Sequence, residues 1–469
     1  MPKRRRQDSS KKECFLLSTC SAIHASIFTF LKACDLHILF QCSHECKTQF
    51  FKWFVTKSRW KYKHVVSLHP DFYQYVTSLS LDMCLRLDLT QFVGLTKLKI
   101  KHISSSLPSS LRQLTFGRHY TSLISFNQLP SNLDTLKFGH EFDEVLPIGS
   151  LPSTLKTLKF RTNYNQPIRS NVLPSGITSL QFGSNFNQQI KPFVLPIKLQ
   201  TLVFGFFFNQ VLQKHSLPAS ITYLRFGEFF NSMLEPGVLP SNLTHLQFGL
   251  SYNCPISAEI FPVGLLHLEF GVFFKQPLLN GLLPLGLTSL KFGCIREEIR
   301  HGLLPYGLKK LEIGTTTTKH ILLHNSLPHS ITSLYFGSNF IQGLEPGMLP
   351  PGLKSLHVGE NYNHPIQLGL LPESLTFLSF GVEFDQILEL GTLPSNLQTL
   401  KFGCKFGSDY DQPIAPHVLP QSLTSLMLGS KYSHPLALHV LPDKLRHLQF
   451  GTKVCSFFRF QKTDMHIMS

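Results

Sequence analysis

The sequence predicts a repeat solenoid, a β-solenoid of about 16 coils, because one 22-residue pattern recurs along most of the chain. Leu-Pro starts a unit fifteen times, and Phe261-Pro262 takes its place once. Twelve of the fifteen intervals between units are 22 residues, and the others are 21, 23 and 26 residues. Each unit also contains Leu seven residues after its start and, in most units, Phe-Gly two residues later. A length of about 22 residues suits one solenoid coil, which buries its apolar side only by stacking on its neighbours.

Positions within a unit are counted from the first residue of the Leu-Pro pair, which is position 0. The units begin at Leu107, Leu129, Leu151, Leu173, Leu195, Leu217, Leu239, Phe261, Leu283, Leu304, Leu327, Leu349, Leu371, Leu393, Leu419 and Leu441. No unit has the long 3.6-residue periodicity that a helical repeat requires.

The local chemistry of one unit predicts a short strand followed by a sharp turn. Leu at position 7 and Phe at position 9 are two residues apart, like alternate inward side chains of a strand. We expect Gly at position 10 to adopt a positive φ, so that the chain leaves the strand abruptly. The aromatic residue at position 13 and the aliphatic residue at position 17 then return to the same core. Asn at position 14 can satisfy nearby backbone groups with its amide.

The pattern Leu-Pro-x-x-Leu-x-x-Leu-x-Phe-Gly-x-x-Phe-Asn-x-Pro-Ile resembles the FNIP repeat, a variant of the leucine-rich repeat. Residues 164–168, with the sequence Tyr-Asn-Gln-Pro-Ile, carry the characteristic motif. The resemblance covers residues 105–452 and implies a leucine-rich-repeat-like solenoid. Two looser copies, at 76–81 and 95–100, precede the regular units. We interpret them as atypical first coils or a cap, which solenoids need to cover the end of their core.

Three places depart from the regular pattern. Arg296 stands where one unit should have its aromatic residue, and the next unit has residues 315–318, all Thr, in that region. These neighbouring departures indicate a binding surface, a flexible joint or drift in tolerant loops. The 26-residue interval carries four extra residues between Gly403 and Tyr410, which predicts a surface insertion.

The first 71 residues hold thirteen Lys or Arg and five Asp or Glu, within a chain of formal net charge +16. Ile23, Ile27, Phe30 and Leu31 have helical spacing, which predicts a small α-helical N-terminal domain. A basic stretch also precedes the uncharged residues 14–31. A signal peptide or membrane anchor is therefore the alternative interpretation of that segment.

The stretch 27–36 resembles an F-box, whose core reads approximately Ile-Leu-x-Phe-Leu-x-x-x-Asp-Leu, and an F-box ahead of a repeat array is a recurrent domain order. The resemblance implies that this segment binds a Skp-type adaptor of a cullin ubiquitin ligase. The implied adaptor contacts are Ile27, Phe30, Leu31 and Leu36. The same residues could instead form only the internal core of a helical cap.

The sequence thus predicts five segments. They are a basic disordered tail (1–13), the F-box-like helical segment (14–60), a linker with atypical capping repeats (61–104), the repeat array (105–452) and a C-terminal tail (453–469). Ten cysteines are scattered without the dense spacing of a secreted disulfide framework. We therefore expect reduced thiols and a cytoplasmic protein, with a nuclear location as the alternative.

Neither catalytic, cofactor-binding nor metal-binding residues are predicted. Cys34, Cys42, His44 and Cys46 do not have the spacing of a common zinc finger. The sequence contains no phosphate-binding glycine loop, metalloprotease motif or nucleophile elbow. We therefore expect a non-enzymatic protein without a cofactor.

Positions 6 and 8 flank the buried Leu and are predicted to face outward in a ladder along the array. The basic residues at position 8, which we predict to face a substrate, are Lys137, Lys159, Arg225, Lys291 and Lys401. Position 8 also holds acidic and apolar residues and few aromatic ones, unlike the basic stacking surfaces that bind single-stranded nucleic acids. This mixture favours a protein partner. The F-box resemblance implies that the protein recruits a substrate, and we expect it to be monomeric apart from its complex. A non-enzymatic scaffold, or nucleic-acid binding through the basic N-terminus, is the alternative.

Overall fold

A computed structural model describes residues 60–61, 76–81, 88–103, 106–316, 320–403 and 407–451. The chain divides into two compact units, Met1–Gly117 and Arg118–Ser469. Regular backbone structure in the described residues consists of nineteen β-strands and two short 3-10 helices. The protein is a parallel β-solenoid of about 16 turns.

The first unit contains four parallel strands and a capped turn. Its strands are β1 Trp60–Lys61, β2 Ser78–Ser80, β3 Lys97–Ile100 and β4 Gln113–Phe116. A 3-10 helix, Leu89–Gln91, precedes β3, and the Asp88 carboxylate caps it by accepting a hydrogen bond from the Thr90 backbone amide. The two loose copies of the repeat form β2 and β3, with their apolar residues buried. Each copy, predicted to be an atypical first coil or a cap, supplies one strand of the parallel sheet.

The predicted helical segment 14–60 lies outside the described residues except at Trp60, which belongs to strand β1. The predicted tails at 1–13 and 453–469 also lie outside them. Within the described part of the chain, the helices are too short to cross a membrane.

The second unit contains one parallel strand per repeat. These strands are β5 Thr135–Lys137, β6 Thr157–Lys159, β7 Ser179–Gln181, β8 Thr201–Val203, β9 Tyr223–Arg225, β10 His245–Gln247, β11 His267–Phe270, β12 Ser289–Ile295, β13 Lys310–Thr316, β14 Ser333–Phe336, β15 Ser355–His357, β16 Phe377–Phe380, β17 Thr399–Phe402, β18 Ser425–Leu428 and β19 His447–Phe450. Neighbouring strands pair in register, so that equal repeat positions lie side by side, as in Leu246 beside Leu268. A second 3-10 helix, Ala258–Ile260, lies between β10 and β11.

The core is a set of columns in which each side chain packs on its own counterpart in the next coil. The Leu or Ile residues at position 4 and the Leu residues at position 7 are almost completely buried in most coils. Within one coil the rings at positions 9 and 13 stack, with centroids 3.8 Å apart for Phe182 and Phe186. The ring of Phe186 then lies 6.1 Å from that of Phe208 in the next coil. The predicted inward positions are confirmed.

A second column consists of amide and carboxylate side chains at position 14. The side-chain oxygen of Asn165 accepts a hydrogen bond from the backbone amide of Asn187 at 2.9 Å, and Asn187 does the same for Asn209. Asp takes this role in some coils, as Asp411 does for Ser433 at 2.7 Å. This column satisfies turn amides that have left the sheet, which confirms the backbone-binding role predicted for Asn.

The explanation predicted for Gly at position 10 is wrong for most coils. Gly205 does not have a positive φ, and among the described position-10 glycines only Gly403 does. A Cβ on Gly205 would instead overlap the carbonyl oxygen of Gly183 in the preceding coil. Close contact between stacked backbones therefore excludes a side chain there, although Arg161 occupies this position in one coil.

The left-handed backbone lies near position 20 instead, just before the next Leu-Pro pair. Gly237 and Gly369 adopt it with φ values of 80° and 77°, and Asn171 adopts it with 64°. His215, His417 and His439 also adopt it, as does Phe193, which has φ 61° and is 79% exposed. This corner, and not the one after the strand, is where the chain needs positive φ.

The two neighbouring units that lack the aromatic residue continue the strand instead of turning. β12 and β13 each have seven residues, and Cys294 and Ile295 are buried in the extension. Arg296 is exposed. The buried Gln342 side chain of the following coil stabilises the second of these units, because it accepts hydrogen bonds from the amides of Ile321 and Leu322 at 2.7 and 2.9 Å.

The four extra residues of the 26-residue interval leave the core column intact. Tyr410 stacks on Phe402 with centroids 3.9 Å apart and lies 6.1 Å from Tyr432 in the next coil. The insertion is thus accommodated before the aromatic position, in a segment of which residues 404–406 lie outside the described part.

Candidate functional site

The outward face of the second unit's sheet carries the side chains at positions 6 and 8. Three-residue strands such as β6 and β9 have a half-buried, buried, half-buried pattern, so that the outer two side chains reach the surface. In-register pairing makes each outward position a row across the strands. We call this surface the strand face; its residue types vary from coil to coil.

The structure places all five predicted basic residues on the strand face and brings only two of them together. Lys137 and Lys159 are direct neighbours in paired strands. Arg225 binds Glu228 of its own coil at 3.1 Å. Lys401 has its Nζ 5.4 Å from the ring centroid of Phe377.

Lys291 lies within a chain of ion pairs. Its Nζ is 3.3 Å from Glu269 and 3.0 Å from Glu312, on the strands either side, and Lys310 lies 3.8 Å from Glu312. Burial opposes the charge on Lys291, but its hydrogen bond to Glu312 and the charge of Glu269 outweigh this effect and raise its pKa above the ordinary value. The charge of Lys291 is thus largely balanced within the array.

Beside these ion pairs lies a shallow depression of about 340 Å³ lined by stacked rings. The imidazole rings of His245 and His267 are 4.1 Å apart and nearly parallel, and the ring of Tyr223 lies 6.0 Å from that of His245. Burial, and then the neighbouring His267, lower the pKa of His245. Nδ1 of His245 is 2.8 Å from the Thr244 hydroxyl. The depression offers the faces of one phenol ring and two imidazole rings to a partner.

A second group of rings lies farther along the strand face. His357 lies between Tyr335 and Phe377, with ring centroids 5.4 and 4.7 Å away. Burial lowers the pKa of His357, and the charge of Lys401 adds to this effect. The strand face therefore carries groups of rings at two places. The predicted basic residues at position 8 do not reveal these groups.

A third surface lies in the loops after β8, β9, β10 and β11, at positions 11 and 12. Its exposed apolar side chains, which we call the aromatic patch, are Phe206, Phe207, Phe229, Leu250, Val272 and Phe273. The predicted outward positions, 6 and 8, lie in the strands and therefore do not include this loop patch. A comparison of positions 11 and 12 across the repeats would have found it.

The predicted adaptor contacts Ile27, Phe30, Leu31 and Leu36 lie outside the described residues. The cysteines and histidine considered as a zinc site, at 34–46, lie outside them too. In the parts of the chain that the structure describes, no group of three or more potential metal ligands comes together.

The family match coincides with this coil geometry. The FNIP Repeat family matches the sequence in ten segments that run from residue 101 to residue 453. The chain belongs to the FNIP repeat family. The FNIP array therefore covers the region predicted from the spacing of the Leu-Pro pairs. Curated protein sequences give no match.

Two solved structures show the fold to which the FNIP array is similar. The first is CroV588, described as a novel circular LRR protein structure; it is 37% identical, with a TM-score of 0.69 over 81% of this chain. The chain spans 58% of the length of CroV588. The second is the TLR13–ssRNA13 complex, 16% identical, with a TM-score of 0.53 over 80% of this chain and 64% of that one. The FNIP array thus has a leucine-rich-repeat-like fold.

Proposed function

We propose that this protein is a non-enzymatic interaction protein whose FNIP array holds a protein partner. One observation carries the proposal. Inward positions repeat the same few residue types, whereas the outward rows change along the array and include paired ions, stacked imidazoles and aromatic rings. A surface that varies on a constant scaffold is what a specific protein interface requires.

We further propose that the N-terminal segment 14–60 is an F-box and that the bound partner is a substrate of a cullin ubiquitin ligase. In this proposal Ile27, Phe30, Leu31 and Leu36 contact a Skp-type adaptor. The support is the resemblance of residues 27–36 and their place ahead of a repeat array. The complex would act in the cytoplasm or the nucleus, with one copy of this chain.

A co-purification experiment tests both parts. The full chain, a chain without residues 1–70 and the double variant Phe30→Asp/Leu36→Asp are compared by mass spectrometry. We expect adaptor and cullin only with the full chain, and array partners with all three, because solenoid coils depend only on their neighbours. Loss of an apolar anchor from an interface commonly costs more than about 2 kcal/mol, roughly thirtyfold in affinity.

The outcomes separate the two parts of the proposal. Absence of adaptor and cullin from the full chain would contradict the F-box and leave a repeat scaffold. Loss of array partners from the shortened chain would contradict binding by the array. Recovery of nucleic acid, weakened steeply by salt, would favour the alternative function, since counterion release makes such binding salt-dependent.

A further inference from the structure

The aromatic patch occupies positions that most other coils fill with polar residues; Val382 and the buried Cys294 and Ile295 are exceptions. Positions 11 and 12 hold Ser184 and Asn185 in the coil before the patch, and Ser338 and Asn339 in the coil from Leu327. Four consecutive coils, from Leu195 to the coil of Phe261, carry apolar residues there instead. Coils with polar residues and coils with apolar residues at positions 11 and 12 can therefore be compared within one chain.

The fold does not require apolar side chains at these positions. The Phe229 amide donates to the Phe206 carbonyl at 3.0 Å, and the Asn185 amide makes the same kind of bond to the Thr162 carbonyl at 2.8 Å. Backbone bonds therefore hold this loop whether its side chains are polar or aromatic. Phe206, Phe207 and Phe229 remain 43%, 48% and 48% exposed. Exposed apolar clusters of this kind mark interaction sites.

Two charged residues beside the patch, Glu228 and Arg225, are paired with each other. Glu228 is the acidic residue among its loops, and its carboxylate accepts from Arg225 at 3.1 Å and from the Leu250 amide at 3.1 Å. Arg225 is therefore engaged as well. Stacking surfaces for single-stranded nucleic acids need a groove of cations along the backbone. A patch without such a groove of cations suits an apolar segment of a protein instead.

The geometry limits the form of that segment. Strands β8 to β11 are paired on both sides, so no free sheet edge can accept an added strand. Across the strands, the ring of Phe229 lies 5.1 Å from that of Phe206 and 5.4 Å from that of Phe207. One helical turn is about 5.4 Å, and side chains three or four residues apart are about 5–6 Å apart. Alternate residues of an extended chain are about 6.7 Å apart.

We infer that the aromatic patch binds the apolar face of an amphipathic helix from a protein partner, lying across strands β8 to β11. An apolar residue from each of about three helical turns then meets one or two coils of the patch. This inference rests on the proposed function, because it locates where the array holds its protein partner.

Selection of random 16-residue peptides displayed on phage, with the full chain as bait, tests the inference. The matched variant is F206S/F207N/F229N, which introduces the residues of the preceding coil. The control is Val263→Ser, which changes a 92% exposed residue at position 2, where Ser is frequent. Binding of enriched, fluorescein-labelled peptides is measured by anisotropy, and thermal unfolding checks each variant. If the triple variant does not fold, Phe273→Asn, which changes the patch in another coil, replaces it as the test variant.

We expect enriched peptides with apolar residues at i, i+3 or i+4, and i+7, bound at least about tenfold more weakly by the triple variant and equally by Val263→Ser. Peptides with alternating apolar residues, or no peptide that distinguishes the variant, would overturn the inference. So would a homodimer that dissociates in the variant, seen by light scattering, or a labelled 16-nucleotide uridine RNA whose binding the variant loses. Adaptor capture by the triple variant should be unchanged. Absence of adaptor from both chains, with peptide binding intact, would count only against the F-box.

Discussion

Glycine at position 10 illustrates how a residue type can follow from stacking and not from backbone conformation. In most coils the glycine at position 10 lies directly on the backbone of the previous coil, as Gly205 does on Gly183. A side chain on Gly205 would have to push these two coils apart. The sequence pattern shows that glycine recurs but cannot show why, because the contact joins residues 22 positions apart.

Gly205→Ala should destabilise the array by about 1–3 kcal/mol, the usual cost of forcing extra atoms into a packed region. Gly264→Ala is the matched control, because its nearest neighbour would be the Ser241 carbonyl at 4.0 Å and its φ is not positive. It should leave stability unchanged or raise it by about 0.4–1 kcal/mol. Urea unfolding of both variants measures the difference. Equal effects of the two changes would contradict the close-contact explanation.

The tyrosines in the aromatic column are a second residue-scale feature. Tyr252 is fully buried, and among the described residues its hydroxyl has no hydrogen-bond partner. Burial raises its pKa above the ordinary value. Its neighbours in the column are Phe230 and Phe274, at centroid distances of 5.8 and 6.3 Å. The column therefore needs a ring at this place and not a hydroxyl.

Tyr252→Phe should be neutral or stabilising by up to about 1 kcal/mol, because it removes a buried polar atom that lacks a partner. Phe230→Tyr, the reverse change one coil earlier, should cost about 1–3 kcal/mol. Thermal unfolding of the two variants checks the pair. A clear loss of stability in Tyr252→Phe would mean that the hydroxyl makes a favourable interaction.

At the scale of elements, many turns are stabilised by a position 14 side chain from the coil before them. Asn187 accepts hydrogen bonds from the Asn209 amide at 2.9 Å and from the Gln210 side chain at 3.1 Å. The acceptor oxygen is what matters, since Asp385 takes the same role for Asp411 at 2.8 Å. The preference for Asn and Asp at position 14 thus has a shared chemical basis.

Asn187→Ala should cost about 0.5–1.5 kcal/mol, because the Asn209 amide loses its acceptor. Asn187→Asp keeps the acceptor oxygen and should be nearly neutral. Chemical denaturation, together with amide hydrogen exchange at Asn209, distinguishes the two. Faster exchange at Asn209 in both variants would contradict the role assigned to the oxygen.

Prediction from sequence succeeded where a side chain packs on the residue at the same repeat position of the next coil. Leu224 at position 7 and Phe226 at position 9 have the two-residue period of a strand, and both are buried. It failed where the outcome depends on the three-dimensional path. The extension of β12 as far as Ile295 compensates for the missing aromatic residue, in whose place the exposed Arg296 stands. No local sequence pattern shows that the strand continues there where other coils turn. The aromatic patch also escapes strand periodicity, because Phe207 belongs to a loop.

At the scale of the whole molecule, stability comes from contacts between neighbouring coils. The columns at positions 4, 7, 9, 13 and 14 each join one coil to the next. Such a solenoid is held by nearest-neighbour interfaces that are nearly interchangeable. The outward rows and the aromatic patch can then vary without loss of the fold, and that freedom underlies the proposed binding function.

Deletion of one complete coil tests this central claim most directly. Removal of residues 173–194 places Phe204 on Phe160 and lets Asn165 bind the Asn209 amide, so each column is continuous again. We predict a folded chain whose Tm falls by less than about 5 °C, an effect of about 1–2 kcal/mol, measured by circular dichroism. Removal of residues 173–183 alone, half a coil, should unfold the neighbouring coils. Unfolding by the full-coil deletion, or equal effects of the two deletions, would contradict the account.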